Sequence, residues 1–201
     1  SNFYSNYNGF NFVKFDGAGG RDAWPSDQYL NIWVCPIYGD GTLGYAQFPG
    51  DAPETDGIVL DYRFFGTVDN FTYPIFNGRT ATHEVGHWLN LRHIWGDVGR
   101  DDDGCEVDDL VADTPMQEGP NGGYNYPCTF PGPNSCDEGG GDLPDMFQNY
   151  MDYSDDQCMN LFTAGQKTRM RALFDTDGPR VDLLSSMGCG ANEPEGISCD
   201  L

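Results

Sequence analysis

Basic side chains are scarce in this sequence. Ten Lys and Arg stand against 32 Asp and Glu over 201 residues, a formal charge of −22, and the only lysines are Lys14 and Lys167. Binding to phosphate backbones needs many ammonium and guanidinium contacts. The nearest approach to a basic patch is Lys167, Arg169 and Arg171 within one short segment. Nucleic acid and anionic membranes are thereby excluded as partners, whereas calcium or basic peptides suit such a surface. Long apolar runs are lacking too, so no stretch is long and apolar enough to span a bilayer as a helix. A leader pattern is also missing: Ser1 is not followed by the charged and apolar regions of a signal peptide, which reads as a mature or trimmed form. Histidine is the last scarcity. His83, His87 and His93 are the only three, all within eleven residues, and none is spare to activate a cysteine thiol as a nucleophile.

What is present describes one folded domain. Two hundred residues are enough to bury a core. Glycine (27) and proline (13) are plentiful, yet aromatics reach 14%, which fits a loop-rich folded chain and not a disordered one. Seven cysteines point to an oxidising compartment and leave at least one outside any bridge. Sequence alone leaves their connectivity open. Cys189 and Cys199 are close neighbours near the C-terminus and form a candidate bridge, and Cys35, inside the apolar run from Tyr29 to Ile37, reads as a buried thiol.

The histidines carry the chemistry. In His83-Glu84-Val85-Gly86-His87 the two imidazoles lie four apart, so a helix projects both from one face. Glu84 is one step round, where its carboxylate reaches a water on the same ion without taking a ligand position. His93 follows six residues later and needs a sharp turn. Three protein ligands with a fourth position left to water is the catalytic pattern for zinc. The run matches the metzincin form of the zinc-peptidase signature, with one departure: Asn90 replaces the usual helix-ending glycine. Asn is a mild substitute there because it tolerates a left-handed backbone. The Met-turn candidate is Asn149-Tyr150-Met151-Asp152-Tyr153, with Met151 as an apolar floor beneath the metal.

Further blocks narrow the family. His83 through Ile94-Trp95-Gly96, then Cys105 to Pro115, then the Met-turn block and Cys158-Met159 resemble the pappalysin family of metzincin zinc metallopeptidases. The small secreted microbial branch, the cytophagalysins, is the most similar. Leu30-Asn31-Ile32-Trp33-Val34-Cys35 and Gly44 to Pro49 fit as well, so the resemblance covers about residues 22 to 175. It implies a secreted endopeptidase whose signal and inhibitory prosegment lie outside this sequence. It implies the bridges Cys105–Cys136 and Cys128–Cys158, and a structural calcium ion held by Asp109, Val111 and Thr114. Asp101-Asp102-Asp103-Gly104 and Asp108-Asp109 supply dense oxygen ligands there, but the spacing fails the EF-hand loop. Asp108 or Asp113 are further candidate ligands, and a solvated acidic loop is the plainer alternative. Tyr153 resembles the tyrosine that some metzincins swing at the metal, where it would donate to the oxyanion; a core aromatic under the Met-turn fits it equally. Relatives that cut before Arg or Lys carry an acidic residue where this chain has Gln157, although Asp155 and Asp156 adjoin it, so a basic preference is open.

The expected fold class is α/β (α+β). A twisted mixed sheet and the active-site helix form an upper part, residues 1–93. A loop-rich lower part, residues 94–201, carries the calcium, disulfides, Met-turn and a C-terminal helix. Short β-rich runs fall at Asn11–Phe15, Tyr29–Val34, Leu43–Phe48 and Ile58–Tyr62, with a weak helix near Gly17 to Ala23. The zinc helix is predicted over Gly78–Leu89. A second helix opens on the capping box Thr163-Ala164-Gly165-Gln166 and runs to Phe174. Residues 96–148 lack periodicity and need disulfides or cations to pin them. The strand near Gly57 to Tyr62 is expected at the sheet edge, where an extended protein or peptide substrate would add antiparallel. The tail beyond about Gly188 is expected to be peripheral or the stub of a linker, the chain is taken as a monomer, and Asn70-Phe71-Thr72 is a weak glycosylation match. The leading function is a secreted zinc endopeptidase using a zinc-bound water activated by Glu84. The alternatives are an inactive metal-holding binding module, disfavoured by the intact Glu84, and a zinc hydrolase of a non-peptide amide, disfavoured by the third ligand and Met-turn.

Overall fold

Ile58-Val59-Leu60-Asp61 is a run without polar alternation, and such runs belong where both faces of a sheet are covered. In the computed structural model, which describes residues 11–38, 41–66, 77–97, 104–122, 128–136, 139 and 143–188, all four are buried. They form β3 (Ile58–Asp61), the centre of a three-stranded sheet in the order β1-β3-β2. β1 (Ile32–Cys35) pairs parallel with it, Ile32 opposite Ile58 and Cys35 opposite Asp61. β2 (Gly44–Ala46) pairs antiparallel, Gly44 opposite Leu60 and Ala46 opposite Ile58. The expectation that this run forms the sheet edge is therefore corrected: among the described residues the antiparallel edge strand next to β3 is β2. One face of β3 joins Val59 to Val13, Trp33, Cys35 and Ile37. The other packs Ile58 and Leu60 on Trp88.

The first predicted strand is also corrected. Asn11–Phe15 contains a 3-10 turn, Phe12–Lys14, followed by a second single turn, Asp16–Ala18, where a helix was expected. The cause is Lys14, which is 1% exposed. Its ammonium donates to Thr55 O at 2.6 Å and stands 5.0 Å from the Trp33 ring centroid and 5.5 Å from that of Tyr45. Turning the backbone carries this cation inward, where polar and cation–π contacts replace water. Burial, opposed by the charge of Asp56, lowers Lys14 to about 8.

Helix α1 (Arg79–Trp88) is held at both ends from elsewhere in the chain. Its N-cap, Gly78, sits at φ 78° and offers no side chain; Asp156 accepts from Asn77 N at 2.5 Å and Arg79 N at 2.9 Å in its place. A carboxylate there satisfies orphan donors and meets the positive end of the helix dipole. At the other end Arg180 Nε donates to Trp88 O at 3.1 Å. Helix α2 (Ala164–Ala172) opens on Thr163 with the reciprocal capping box to Gln166. Gln166 is fully buried, and its amide also exchanges hydrogen bonds with Asn149 at 2.8 and 3.1 Å. One side chain thus caps α2 and ties down the start of the Met-turn. Arg169 of α2 reaches back to Asn90 O at 2.7 Å.

Between the helices the described backbone is mostly irregular, with one short 3-10 helix, Gly104–Glu106. Disulfides join Cys105 to Cys136 and Cys128 to Cys158. Cys35 is buried and stands outside both. The Cys189–Cys199 pair, Asp101 to Asp103, and Asn70 to Thr72 lie outside the described residues.

Candidate metal centre

Helix α1 places His83 and His87 one turn apart on one face. The helix stops because Asn90 takes a left-handed backbone, φ 71°, and the reversed chain delivers His93 to the same point. All three Nε2 atoms lie 3.1 Å from one another. Each ring's other nitrogen is engaged: His83 Nδ1 faces Tyr150 O at 2.7 Å, His87 Nδ1 faces Leu91 O at 2.8 Å, and His93 Nδ1 donates to Asp97 Oδ1. Carbonyl and carboxylate oxygens only accept, so Nδ1 carries the proton on every ring. Three Nε2 lone pairs therefore converge with no proton to share. That arrangement repels itself until a cation stands between the rings. Tetrahedral nitrogen ligands at about 2.0–2.1 Å from zinc lie about 3.3–3.4 Å apart, close to the spacing here. Burial, then the neighbouring His87 and His93, depress His83 well below the usual histidine range, and burial and His93 bring His87 to about 4. Both rings are neutral at pH 7, the form that binds metal.

Glu84 is 6% exposed on the same helix, and burial raises its carboxyl to about 8. It lies under β2: a Cβ added to Gly44 would stand 3.0 Å from Glu84 Cγ. Met151 is fully buried with Leu91, Ile94 and Trp95. A Cβ added at Gly86 would come within 2.4 Å of Met151 Sδ, so the glycine between the helical histidines is what lets the Met-turn pass beneath them. Tyr153 is 53% exposed, with its ring centroid 5.4 Å from His83 and 4.8 Å from His93. It is therefore a wall of the open side of the cluster and not a core aromatic.

The acidic loop forms a second cluster. Thr114 Oγ1 lies 2.8 Å from Asp109 Oδ1 and 2.6 Å from Val111 O, so one hydroxyl proton serves two acceptors. Asp109 Oδ2 is buried with no hydrogen-bond partner, and burial raises this carboxyl to about 7. Asp113 is not part of it: its Oδ2 accepts from Gly165 N at 2.8 Å and caps α2. Asp108 accepts from Leu110 N at the exposed rim. After the Met-turn, Gln157 is exposed, Asp156 serves α1, and Asp155 Oδ2 is buried with no hydrogen-bond partner.

Three groups at or around the cluster were not singled out from sequence. Asp97, the partner of His93, had a signal: a carboxylate four residues on. The cap of α1 by Asp156 and the Asp56–Arg180 pair at its other end had none, because Asp156 lies 77 residues from Arg79 and Arg180 lies 92 from Trp88 and 124 from Asp56.

The chain is similar to known proteins in sequence and, for solved structures, in fold. The Peptidase M43 family model, described as pregnancy-associated plasma protein-A, matches residues 16–175. An extracellular metalloprotease of Arthroderma otae is 41% identical over 160 residues, covering 77% of this chain and 55% of that protein. One of Arthroderma benhamiae is 39% identical over 153 residues, covering 72% and 47%. The chain spans about half the length of the curated relatives it matches. Among solved structures, mirolysin in complex with compound 9 is 47% identical with a TM-score of 0.78, covering 91% of this chain and 66% of that one. Mature mirolysin of Tannerella forsythia in complex with a cleaved peptide is 51% identical with a TM-score of 0.74, covering 86% and 62%.

Proposed function

This chain belongs to the Peptidase M43 (pappalysin) family of metallopeptidases, and from that premise we propose that it is a secreted zinc endopeptidase with His83, His87 and His93 as its metal ligands. The observation that carries this reading is the convergence of three proton-free Nε2 atoms at 3.1 Å, beside a buried carboxylate on the same helix. Bound zinc supplies Lewis acidity, which polarises a scissile carbonyl and eases deprotonation of a water. Glu84 takes that proton as the water attacks and later gives it to the departing amine. Its burial favours the first step, because a carboxyl raised towards neutrality is a better proton acceptor than an exposed one. The hydroxyl of Tyr153, exposed beside His83 and His93, donates to the developing oxyanion. An extended protein or peptide lies antiparallel on the open edge of β2, the strand that covers Glu84.

After the cut the reading favours Arg or Lys. Gln157 is neutral and Asp156 is spent on the helix terminus, which leaves the buried oxygen of Asp155 as the acidic group of this segment that lacks a partner. The test is digestion of a denatured protein mixture, with and without a zinc chelator, and mass-spectrometric mapping of the cuts. Chelator-sensitive cleavage before basic residues is the expected result. Cuts indifferent to chelation overturn the zinc reading, and cuts without a basic preference overturn the specificity alone.

The second cluster supports a structural calcium ion on Asp109, the Val111 carbonyl and Thr114, because its oxygens outnumber the protons available to them. Calcium at about a hundred times its Kd is expected to add about 2.7 kcal/mol of stability, which is about 5–10 °C in Tm for a chain of this size. Asp109→Asn should erase the calcium-dependent shift in a thermal melt, and an equal shift in both proteins would exclude this site.

A further inference from the structure

His93 is held differently from its two companions. His83 and His87 are buried on α1, and their Nδ1 atoms meet neutral backbone carbonyls, Tyr150 O and Leu91 O. His93 lies beyond the helix, its side chain 16% exposed, and its Nδ1 meets an anionic group, Asp97 Oδ1. Reaching that partner takes unusual backbone. Gly96 at φ 73° and Asp97 at φ 61° are consecutive left-handed residues, and Gly96 N closes the turn onto His93 O at 2.9 Å. A side chain at residue 96 would press on Val107, 2.8 Å from the added Cβ. Left-handed backbone is sterically costly for any residue with a Cβ, yet here it folds the Asp97 carboxylate back over the ring four residues earlier. The opposite restraint on His93 is Trp95, stacked on its face at 4.3 Å and 5°.

We propose that Asp97 is a positioning residue for the metal: it fixes the Nδ1–H tautomer and ring angle of His93, so that the least buried ligand presents its Nε2 lone pair to the ion. This rests on the zinc reading above. A carboxylate behind a metal-binding imidazole orients the ring and increases its basicity. The helical ligands need no such group, because burial and the helix itself already restrict them. His93 competes with water and lies outside the helix, with the turn, Trp95 and Tyr153 around its ring.

The backbone makes the test clean, because glycine and asparagine both accept the left-handed conformation at residue 97. Wild type, Asp97→Gly and Asp97→Asn are compared for zinc Kd by competition with a chromophoric chelator, and for the visible absorption of the cobalt-substituted proteins. Asp97→Gly is expected to bind zinc about 10–100-fold more weakly, with an altered cobalt spectrum and an undiminished melting temperature for the metal-free protein. Asp97→Asn, which keeps an acceptor and loses the charge, should fall between. If Asp97→Gly binds zinc as tightly as wild type, with the same cobalt spectrum, Asp97 only shapes the loop and the proposal is overturned. If wild type itself fails to bind one zinc, the zinc reading falls and takes this inference with it.

Discussion

Glu84→Gln is expected to lower kcat/KM for peptide cleavage by about 10²–10⁴-fold, the range that a positioned general base contributes, while zinc affinity stays at the wild-type level. The two effects separate because Glu84 shares the helix with His83 and His87 and stands outside their cluster of Nε2 atoms. Glutamine matches the shape of the buried side chain and cannot take a proton. Burial is what lifts the carboxyl to about 8, so the substitution removes a strained ionisable group without opening a cavity. A metal-free Glu84→Gln chain should therefore fold as well as wild type, and loss of activity cannot be ascribed to misfolding. Zinc content and cleavage of one fluorogenic peptide measure both quantities. Activity within tenfold of wild type would remove Glu84 from the chemistry, and loss of zinc together with activity would make it a structural partner of the site.

The candidate site was largely legible because its parts are local. Three histidines within eleven residues encode their own geometry once a helix and one left-handed residue are granted, and Asn90 supplies the latter. Thr163 and Gln166 announce α2 in the same local way. What stayed hidden is carried by long-range contacts or by conflict between pattern and burial. Asn11–Phe15 has the β-rich composition of a strand, but a buried ammonium at Lys14 overrides it. Ile58–Asp61 reads as a strand, yet its place at the centre of the sheet shows only as missing alternation. The caps of α1 come from Asp156 and Arg180, on segments that no spacing rule connects to it. Asp97 was within reach of sequence reasoning, since a carboxylate four residues beyond a metal-binding histidine is the kind of partner such a ring takes up.

Asp56→Ala is expected to cost about 3–5 kcal/mol, the penalty for leaving one member of a buried ion pair uncompensated. Asp56 and Arg180 are 5% and 6% exposed, and the guanidinium meets both carboxylate oxygens, at 2.9 and 3.0 Å. Trp88 Nε1 donates to the same oxygens at 3.2 Å, and the guanidinium stacks over the Trp88 ring at 3.6 Å. Alanine would strand a buried cation and an indole donor together. For a chain of this length the loss is about 6–20 °C in Tm, readable by chemical denaturation and a thermal melt. Asp56→Ala combined with Arg180→Met should be less damaging than Asp56→Ala alone, since most of the penalty belongs to the orphaned charge. The exposed pair Arg21–Asp16, 3.5 Å apart at 84% and 53% side-chain exposure, is the control: Arg21→Ala should change stability by less than about 1 kcal/mol. Because Trp88 follows His87 directly, the same clamp fixes the end of the helix that presents the second histidine. Asp56→Ala should accordingly lose zinc affinity at temperatures below its own unfolding transition. A chain that melts within about 1 kcal/mol of wild type would mean that water reaches Arg180 after the substitution, and the end of α1 would then have to be held by the Arg169–Asn90 contact instead.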